Sequence, residues 1–524
     1  MAQQGPVGLQ LSGTVEGHSS FLFAIFGHGR AGMGNRTNPF ACLADTSHTD
    51  NDRGSLLSRG GKSIPAGMFS IFDRIAPGLL ESVETEGEGR RAVKVKDAIR
   101  VAIFPAGTEI GLELHRCLQY ATWFSTYGIS SVEDHSRFVY RNWTAGIPFV
   151  GEQGFLSQLN KVLQREHIQY LYPAHDDVLL FLARHRRELS AQLLASPLET
   201  VEITRSKKKT YSFFRGASFL PEVYDRIEAV ESYPVFAKPD IGQGSQGARV
   251  LRDRTEYDEV IRREKDLVLC EYLPGKECTV DCFTDQGGNL LVAKMRSRGR
   301  TRSGISVDSQ IQALPPSVLD IAETINARLR FDGGWFFQMK QDRQGQWKLL
   351  EIAARIGGTS GLTRCLGINL PLLTLYQAMG KQVDIIQNPF SIRVDRALIS
   401  RYHMDRAYQT VYVDFDDTLL NRGGRVNRLV LMFLYQAVEQ GKKVVLLTRH
   451  KGDLGAALKK YRIHETLFDR VVSIGQTGNK SDFIKEQDAI FIDDSFAERM
   501  EVSKRLGIPV FDVDAVECLI DWRT

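Results

Sequence analysis

The stretch FAKPDIGQGSQG, residues 236–247, joins a short apolar run to a glycine-rich loop. Lys238 ends the apolar run, and Gly242, Gly244 and Gly247 follow it closely. Backbone N–H groups that no side chain shields can fold over phosphate groups, and a lysine supplies positive charge beside them. A glycine loop alone is a weak signal, so a phosphate site is predicted here only together with its neighbours.

The segments that follow supply the other parts of a nucleotide site. LCEYLPGKE, residues 269–277, offers a strand edge for an adenine ring, and Glu277 can accept from ribose hydroxyls. FQMK (337–340) and LLEIAAR (349–355) place Gln338 and Glu351 on strands expected to be neighbours, where their oxygens can share Mg²⁺. Alternating apolar and polar residues with glycine-containing turns predict antiparallel sheet throughout this part.

With these motifs, residues from about 98 to 400 resemble an ATP-grasp ligase and its preceding α/β domain. They are similar to the large chain of carbamoyl phosphate synthase and to carboxylate–amine ligases, and FPAGTEIGLEL (104–114) and RSKKKTYSFF (205–214) also carry the resemblance. The resemblance implies ATP and Mg²⁺ as cofactors. It places Gln338 and Glu351 at the metal and Arg355 at the transferred phosphoryl group. It assigns the nucleotide to Lys207, Lys238, Gly242, Gly244, Ser245, Gly247, Glu271, Leu273 and Glu277.

One position departs from the family pattern. The family has Asn two residues after the metal glutamate, where this chain has Ala353. Three readings therefore stay open: an active ligase that joins a carboxylate to an amine through an acyl phosphate, a degenerate binding module, and a kinase. We favour the ligase, because Mg²⁺ commonly keeps several waters.

The segment before this unit alternates strand and helix patterns, which predicts a parallel α/β sheet over 98–200. IRVAIF and IQYLYP are expected strands, and Thr108 is expected to cap the helix after the first. Ligands bind at the carboxyl ends of parallel strands, so Glu109, His175 and Asp176 are candidate substrate residues. The later run Lys294, Arg296, Arg298, Arg300 and Arg302 is expected to point alternate side chains into the same cleft, with Arg296 and Arg298 as substrate candidates.

Near the end of the chain, VYVDFDDTLL (411–420) places three carboxylates after an apolar run. Asp414 can attack a phosphate monoester, and Asp416 can protonate the leaving oxygen and then activate water. The repulsion between them calls for a cation such as Mg²⁺. Thr448, Lys480 and Asp493 follow in order, each at an expected strand end or helix start.

This series resembles the haloacid dehalogenase superfamily of phosphohydrolases over about 408–524. The resemblance implies that Asp414 is the nucleophile, that Thr448 and Lys480 bind phosphate, and that Asp414, Asp493 and the Asp416 carbonyl hold Mg²⁺. Asp494 is a second ligand or its orienter, and Asp417 is a bystander. The intervals on both sides of Thr448 leave no space for a cap domain, so the site is expected to be open and suited to a bulky substrate, or to be covered by another domain of this chain.

The whole chain is therefore expected to be a multidomain α/β protein. The predicted parts are an irregular or disordered N-terminal extension (1–97), a pre-ATP-grasp α/β domain (98–200), an α+β ATP-grasp domain (201–405) and a capless Rossmann-like phosphohydrolase domain (406–524). The predicted partners are a small carboxylate, an amine and a phosphorylated metabolite. That ligase and phosphatase act in succession on one metabolite is a hypothesis motivated only by their fusion. A net charge of +4 over 524 residues gives no case for nucleic acid.

Bulk composition supports a cytoplasmic protein. The seven cysteines are scattered, which fits reduced thiols, and Cys278 and Cys282 are expected to be buried small side chains. No apolar run approaches the roughly 20 residues that span a bilayer.

Overall fold

The structure is a computed structural model that describes residues 98–523 apart from 243, 265, 422 and 476, and the backbone of two earlier strands. These strands, β1 (Leu80–Thr85) and β2 (Arg91–Val95), pair antiparallel with Val83 opposite Val93. The prediction of a mostly irregular extension did not include these two strands, because the apolar alternation (Val93, Val95) is short and lies among charged residues. The rest of that prediction, on residues 1–79, 86–90 and 96–97, lies outside the described residues.

The first α/β part is built on a five-stranded parallel sheet in the order β5-β4-β3-β6-β7. Strand β3 fills its centre because Val101 to Phe104 are all buried. Thr108 caps the following helix by accepting from the Gly111 N–H at 3.0 Å, as predicted. The elements are β3 (Ile99–Phe104), α1 (Glu109–Leu118), β4 (Phe124–Ile129), β5 (Asn142–Thr144), α2 (Phe155–Arg165), β6 (Tyr170–Pro173), α3 (Asp176–Arg184) and β7 (Gln192–Leu193).

The middle part contains the predicted antiparallel sheets. Its first elements are α4 (Leu198–Arg205), α5 (Lys207–Phe213), β8 (Val223–Tyr224), β9 (Val235–Pro239), β10 (Arg249–Leu251), α6 (Arg254–Ile261) and β11 (Leu267–Glu271). Next come β12 (Glu277–Thr284), β13 (Leu290–Ser297), β14 (Arg300–Arg302), β15 (Ile305–Gln310), α7 (Pro316–Arg328), β16 (Gly333–Gln341) and β17 (Trp347–Ala353). The last are α8 (Gly361–Cys365), α9 (Leu370–Ala378) and β18 (Arg393–Asp395). The sheet orders are β10-β9-β11-β8, β13-β12-β16-β17 and β14-β15-β18.

The C-terminal part is a second five-stranded parallel sheet, in the order β21-β20-β19-β22-β23. Its elements are β19 (Thr410–Val413), α10 (Arg428–Glu439), β20 (Lys443–Thr448), α11 (Leu454–Lys460), β21 (Arg470–Ser473), β22 (Ala489–Ile492), α12 (Phe496–Leu506) and β23 (Val510–Phe511). Strands and helices alternate along most of this part, as expected for a Rossmann-like arrangement. Central β19 and β22 are buried along their whole length, so the loops after them are held on a rigid edge.

A continuous hydrophobic core joins the first and middle parts. It runs from Phe104 and Leu171 in the first sheet to Val280, Trp335 and Phe337 in the middle one. Cys278 and Cys282 are buried in it, as expected. This packing brings the loops after β3 and β6 against β17 and the glycine loop. Among the described residues, no helix is long and apolar enough to cross a membrane.

Candidate functional sites

A first cavity lies under the glycine loop and gathers most residues assigned to a nucleotide. Its lining includes Lys207, Lys238, Gly242, Gly244, Ser245, Glu271, Leu273, Glu277, Gln338 and Glu351. Gly247, the remaining predicted loop residue, packs instead with its Cα facing Pro239. The cavity therefore gathers predicted nucleotide and metal residues from helix α5, strand β9 and the sheet β13-β12-β16-β17.

Lys238 is the most enclosed cation of this cavity. It is buried at the end of β9, where its Nζ donates to the Tyr211 hydroxyl at 2.7 Å and to the Leu350 carbonyl at 3.0 Å. Burial lowers the pKa of Lys238 and also that of Lys207. A phosphate group bound in the cavity would therefore favour the charged form of both lysines, because it supplies the negative charge that burial withholds.

Gln338 and Glu351 face one another across β16 and β17. They are paired in the antiparallel register, and both line the cavity. Two oxygen donors on adjacent strands are the kind of ligands that Mg²⁺ takes, so these residues fit the metal. Ala353, two residues further along β17, lines an adjoining cavity and offers no ligand.

The adjoining cavity opens towards the first α/β part. It shares Lys207, Arg298, Gln338 and Glu351 with the first cavity. Its lining also contains all the candidate substrate residues, Glu109, His175, Asp176, Arg296 and Arg298, together with Arg355. The structure thus places residues that follow β3 and β6 in one cavity with Gln338 and Glu351, while the roles of these residues stay predictions.

Several of these side chains form ion pairs. Arg355 donates from Nε and Nη2 to the Asp176 carboxylate, at 2.7 and 2.5 Å. Burial alone would raise the pKa of Asp176, but the Arg355 guanidinium outweighs it and holds that pKa below its usual range. Arg355 was expected to face the transferred phosphoryl group. It lines the cavity, yet its guanidinium is bound to a carboxylate from the first α/β part.

The basic run on β13 and β14 enters the cleft only in part. Arg296 is buried and pairs with Asp281 at 2.8 Å, and Arg298 pairs with Glu277 at 2.6 Å. Both line the cavity, whereas Arg300 is exposed on β14 and pairs with Asp395. The strand alternation ends at residue 297, before the last two arginines, so they do not continue its inward face.

Sequence reasoning missed the partners that fix this region. Buried Asp240 accepts from the Ser206 hydroxyl at 2.9 Å and the Lys208 N–H at 2.7 Å, which sets the start of the helix carrying Lys207. Arg396 pairs with Glu109. The aspartate of KPD was visible in the motif, but nothing in the sequence indicated the distant partner of Glu109.

A second candidate site follows strands β19 and β22. Lys480 Nζ is buried between Asp414 Oδ1 at 2.7 Å and Asp493 Oδ2 at 2.6 Å. Among the described residues, Asp414, Asp493 and Asp494 place one carboxylate oxygen each within 4.8 Å of the others. Three hard oxygen donors at this spacing fit Mg²⁺.

The charges of this cluster shift one another. Burial raises the pKa of Asp414 and raises that of Asp493 to about 6, although Lys480 opposes both changes. Burial alone would lower the pKa of Lys480, but Asp414 and Asp493 outweigh it and raise that pKa. The two carboxylates therefore outnumber the one cation between them, and a further positive charge would stabilise their ionised forms.

The remaining predicted residues surround the cluster. The hydroxyl of buried Thr448 hydrogen-bonds Asp414. Asp416 does not belong to this group of three carboxylates, and its side chain contacts His450, whose Nδ1 lies 3.0 Å from both carboxylate oxygens. Thr418 donates to Asp494 at 3.2 Å. His450 was missed by sequence reasoning, although it stands two residues after Thr448.

Comparisons with known proteins bear on the middle part. Residues 263–397 match the family described as ATP-grasp in the biosynthetic pathway with Ter operon. This segment is an ATP-grasp segment. The match ends before β19, so it does not reach the C-terminal carboxylates.

The chain is also similar to a curated protein, the 3-methyl-D-ornithine--L-lysine ligase of Methanosarcina acetivorans. The two are 25% identical over 229 residues, which cover 42% of this chain and 59% of the relative. The chain thus matches about three fifths of the relative's length.

Two solved structures are similar at lower identity. The biotin carboxylase domain of the Hydrogenobacter thermophilus 2-oxoglutarate carboxylase, bound to ADP, is 16% identical with a TM-score of 0.47, covering 55% of this chain and 71% of that one. The L-amino acid ligase of Bacillus licheniformis is 19% identical with a TM-score of 0.45, covering 54% of this chain and 75% of that one. TM-scores below 0.5 do not establish a common fold.

Proposed function

We propose that this protein is an ATP-dependent carboxylate–amine ligase whose active site lies between residues 98–200, a pre-ATP-grasp domain, and 201–405, an ATP-grasp domain. One observation carries the proposal: the two joined cavities gather Lys207, Lys238, Gln338 and Glu351 next to a glycine loop. The similarity to a curated ligase supports the same class of reaction.

In this proposal, the substrate carboxylate attacks the γ-phosphorus of ATP and the bond to ADP breaks, with its electron pair leaving on ADP. The amine then attacks the acyl carbon, phosphate leaves, and the amine proton goes to solvent. Lys207 and Lys238 hold the phosphates, and this charge neutralisation with positioning supplies most of the catalysis. Gln338 and Glu351 would hold Mg²⁺, which neutralises phosphate charge when bound.

The remaining assignments follow the same division. Glu271 and Leu273 lie at the adenine edge, Glu277 at the ribose, and Arg355 at the transferred phosphoryl group. The carboxylate and amine substrates lie against Glu109, His175, Asp176, Arg296 and Arg298. A cytoplasmic location is part of the proposal, since ATP and reduced thiols belong together there.

The test is a metabolite screen with ATP and Mg²⁺. Wild-type protein is incubated with pooled carboxylates and amines, and ADP, phosphate and new masses are followed. The ligase proposal expects an amide mass, one ADP and one phosphate per turnover, all lost in Lys238→Ala. A stable phosphorylated product without amide would show a kinase instead.

We propose a second activity for residues 406–524, a Mg²⁺-dependent phosphatase of the haloacid dehalogenase type, because Asp414, Asp493 and Asp494 cluster around buried Lys480. Asp414 attacks phosphorus to form an aspartyl phosphate, and Asp416 protonates the leaving oxygen and later takes a proton from water. Thr448 and Lys480 bind the phosphate. Among the described residues, each interval beside Thr448 holds one α-helix and one strand, α10 with β20 before it and α11 with β21 after it, which suits an open site and a bulky phosphorylated metabolite.

This second proposal is tested with phosphate monoesters. Wild-type protein with Mg²⁺ is expected to hydrolyse p-nitrophenyl phosphate, and Asp414→Asn is expected to lose that activity with ADP binding unchanged. Hydrolysis that survives Asp414→Asn would contradict the assignment. If a compound phosphorylated or made by the ligase part is unaffected by Asp414→Asn, the two activities do not act in succession.

A further inference from the structure

Helix α3 begins with two consecutive aspartates, and each holds an arginine from the middle part. Asp176 binds Arg355, as described above. Asp177 Oδ1 accepts from Arg205 Nε at 2.9 Å and from Nη2 at 2.6 Å. The Arg205 side chain is only 8% exposed, so its guanidinium is held between α3 and the end of α4.

The same guanidinium has a third contact, on the glycine loop. Arg205 Nη1 donates to the Gly242 carbonyl at 3.3 Å. Both residues line the cavity that contains Lys207 and Glu351. Arg205 therefore connects the first α/β part directly to the first glycine of the loop.

The loop is also restrained near its middle. Gly244 has φ +60°, and a Cβ added to Gly304 would lie 2.1 Å from the Gly244 carbonyl carbon. The turn between β14 and β15 thus lies directly against the loop backbone. Arg205 is the matching restraint at the start of the loop, and a loop fixed in advance binds phosphates with a smaller loss of entropy.

We propose that Arg205 is a positioning residue that sets the glycine loop for the nucleotide phosphates, and that Asp177 fixes Arg205 in place. The first α/β part then contributes to nucleotide affinity through Asp177. Arginine suits this role because its planar fork can bind a carboxylate with two N–H groups while another reaches a carbonyl, which lysine cannot do. The inference rests on the proposed function, that this cavity binds ATP.

The experiment measures ADP binding to the full chain by calorimetry with Mg²⁺ present. Arg205→Lys and Asp177→Asn are each expected to raise the Kd for ADP about tenfold, the loss of one charged hydrogen bond. The double variant is expected to be no weaker than Arg205→Lys, because both changes remove one linkage. Amide hydrogen exchange over residues 241–249 is expected to rise in both single variants without nucleotide.

The chain offers a matched control on the same two helices. Arg184 of α3 donates to Glu202 of α4 from Nε at 3.1 Å and Nη2 at 2.8 Å, away from the loop. Glu202→Gln removes a pair of the same chemical type between the same two helices, with a more exposed arginine, and is expected to keep the Kd within twofold, with exchange over 241–249 unchanged.

The outcomes distinguish failure of the Arg205 inference from failure of the proposed ATP-binding function. If wild type binds ADP and both single variants bind within twofold of it, Arg205 does not position the loop. If Glu202→Gln weakens binding as much as Asp177→Asn, the effect is general helix packing and the inference is also wrong. If wild type itself does not bind ADP, the proposed function fails. Should Arg205→Lys unfold, Asp177→Asn decides alone, since it leaves Arg205 in the chain.

Discussion

Asp493→Asn is expected to stabilise the metal-free protein and to reduce strongly its stabilisation by Mg²⁺. Burial raises the pKa of Asp493 from its ordinary value of 3.8 to about 6, and the side chain is 1% exposed. The folded state thus binds the proton more tightly than the unfolded chain. The contribution of Asp493 to wild-type stability is therefore largest below pH 4, falls as the pH rises to 6, and stays reduced above it.

The magnitude follows from that shift. About two pKa units correspond to about 3 kcal/mol of penalty above pH 6. Asparagine removes this penalty, but it offers Lys480 a weaker acceptor than the carboxylate that now lies 2.6 Å from its Nζ. The net gain in free energy of unfolding is therefore expected to be about 1–2 kcal/mol at pH 7.5 in EDTA, and near zero at pH 4.

In Mg²⁺ the wild type should become the more stable of the two proteins. At a concentration one hundred times its Kd, a ligand that binds only the folded state adds about 2.7 kcal/mol. Wild type should gain about that much, and the variant, lacking one of three clustered carboxylates, should gain far less. The assay is calorimetric unfolding of the full chain in EDTA and in Mg²⁺.

Asp488→Asn is the control, because its exposed carboxylate lies at the amino end of the same strand β22. It is expected to change neither condition. A variant at position 493 that is less stable than wild type in EDTA at pH 7.5, or one that gains as much from Mg²⁺ as wild type, would refute the reasoning.

Three further results are expected. Lys238→Ala should raise the Kd for ADP more than tenfold, because a buried charge near the phosphates is lost, whereas exposed Lys209→Ala should not; equal effects would contradict the assignment. Ala353→Asn should lower the Mg²⁺ concentration needed for ADP binding several-fold by adding an oxygen ligand, and an unchanged requirement in a folded variant would place the metal elsewhere. His450 contacts Asp416, so His450→Ala should disturb Asp416 as general acid. The variant should therefore slow hydrolysis of phenyl phosphate about tenfold more than that of p-nitrophenyl phosphate, because only the poorer leaving group needs an acid. Equal slowing of both substrates would exclude a role of His450 in positioning Asp416.

Many strands and helices of this protein can be predicted because their apolar residues recur at the spacing of a strand or a helix. Strand β19 reads as a continuous apolar run ending in carboxylates, and the structure places it at the centre of a parallel sheet with both faces buried. The facing of Gln338 and Glu351 was also predictable, since two alternating strands joined by a glycine turn pair antiparallel.

The ion pairs that position these residues could not be predicted. Arg355 and Asp176 lie 179 residues apart in sequence, and their contact depends on how two sheets pack. The same holds for Arg205, which in the sequence is only one more cation before Ser206 and Lys207. The strands Leu80–Thr85 and Arg91–Val95 were missed because their apolar period is too short to stand out from the charged residues around them.

The most direct test of the proposed ligase is the fate of the substrate carboxylate oxygen. Once the metabolite screen has identified an acid, that acid is labelled with ¹⁸O in its carboxylate and turned over with ATP, Mg²⁺ and the amine. An acyl phosphate intermediate requires that one ¹⁸O per turnover appears in the released phosphate. Phosphate that carries no ¹⁸O while amide forms would contradict the account.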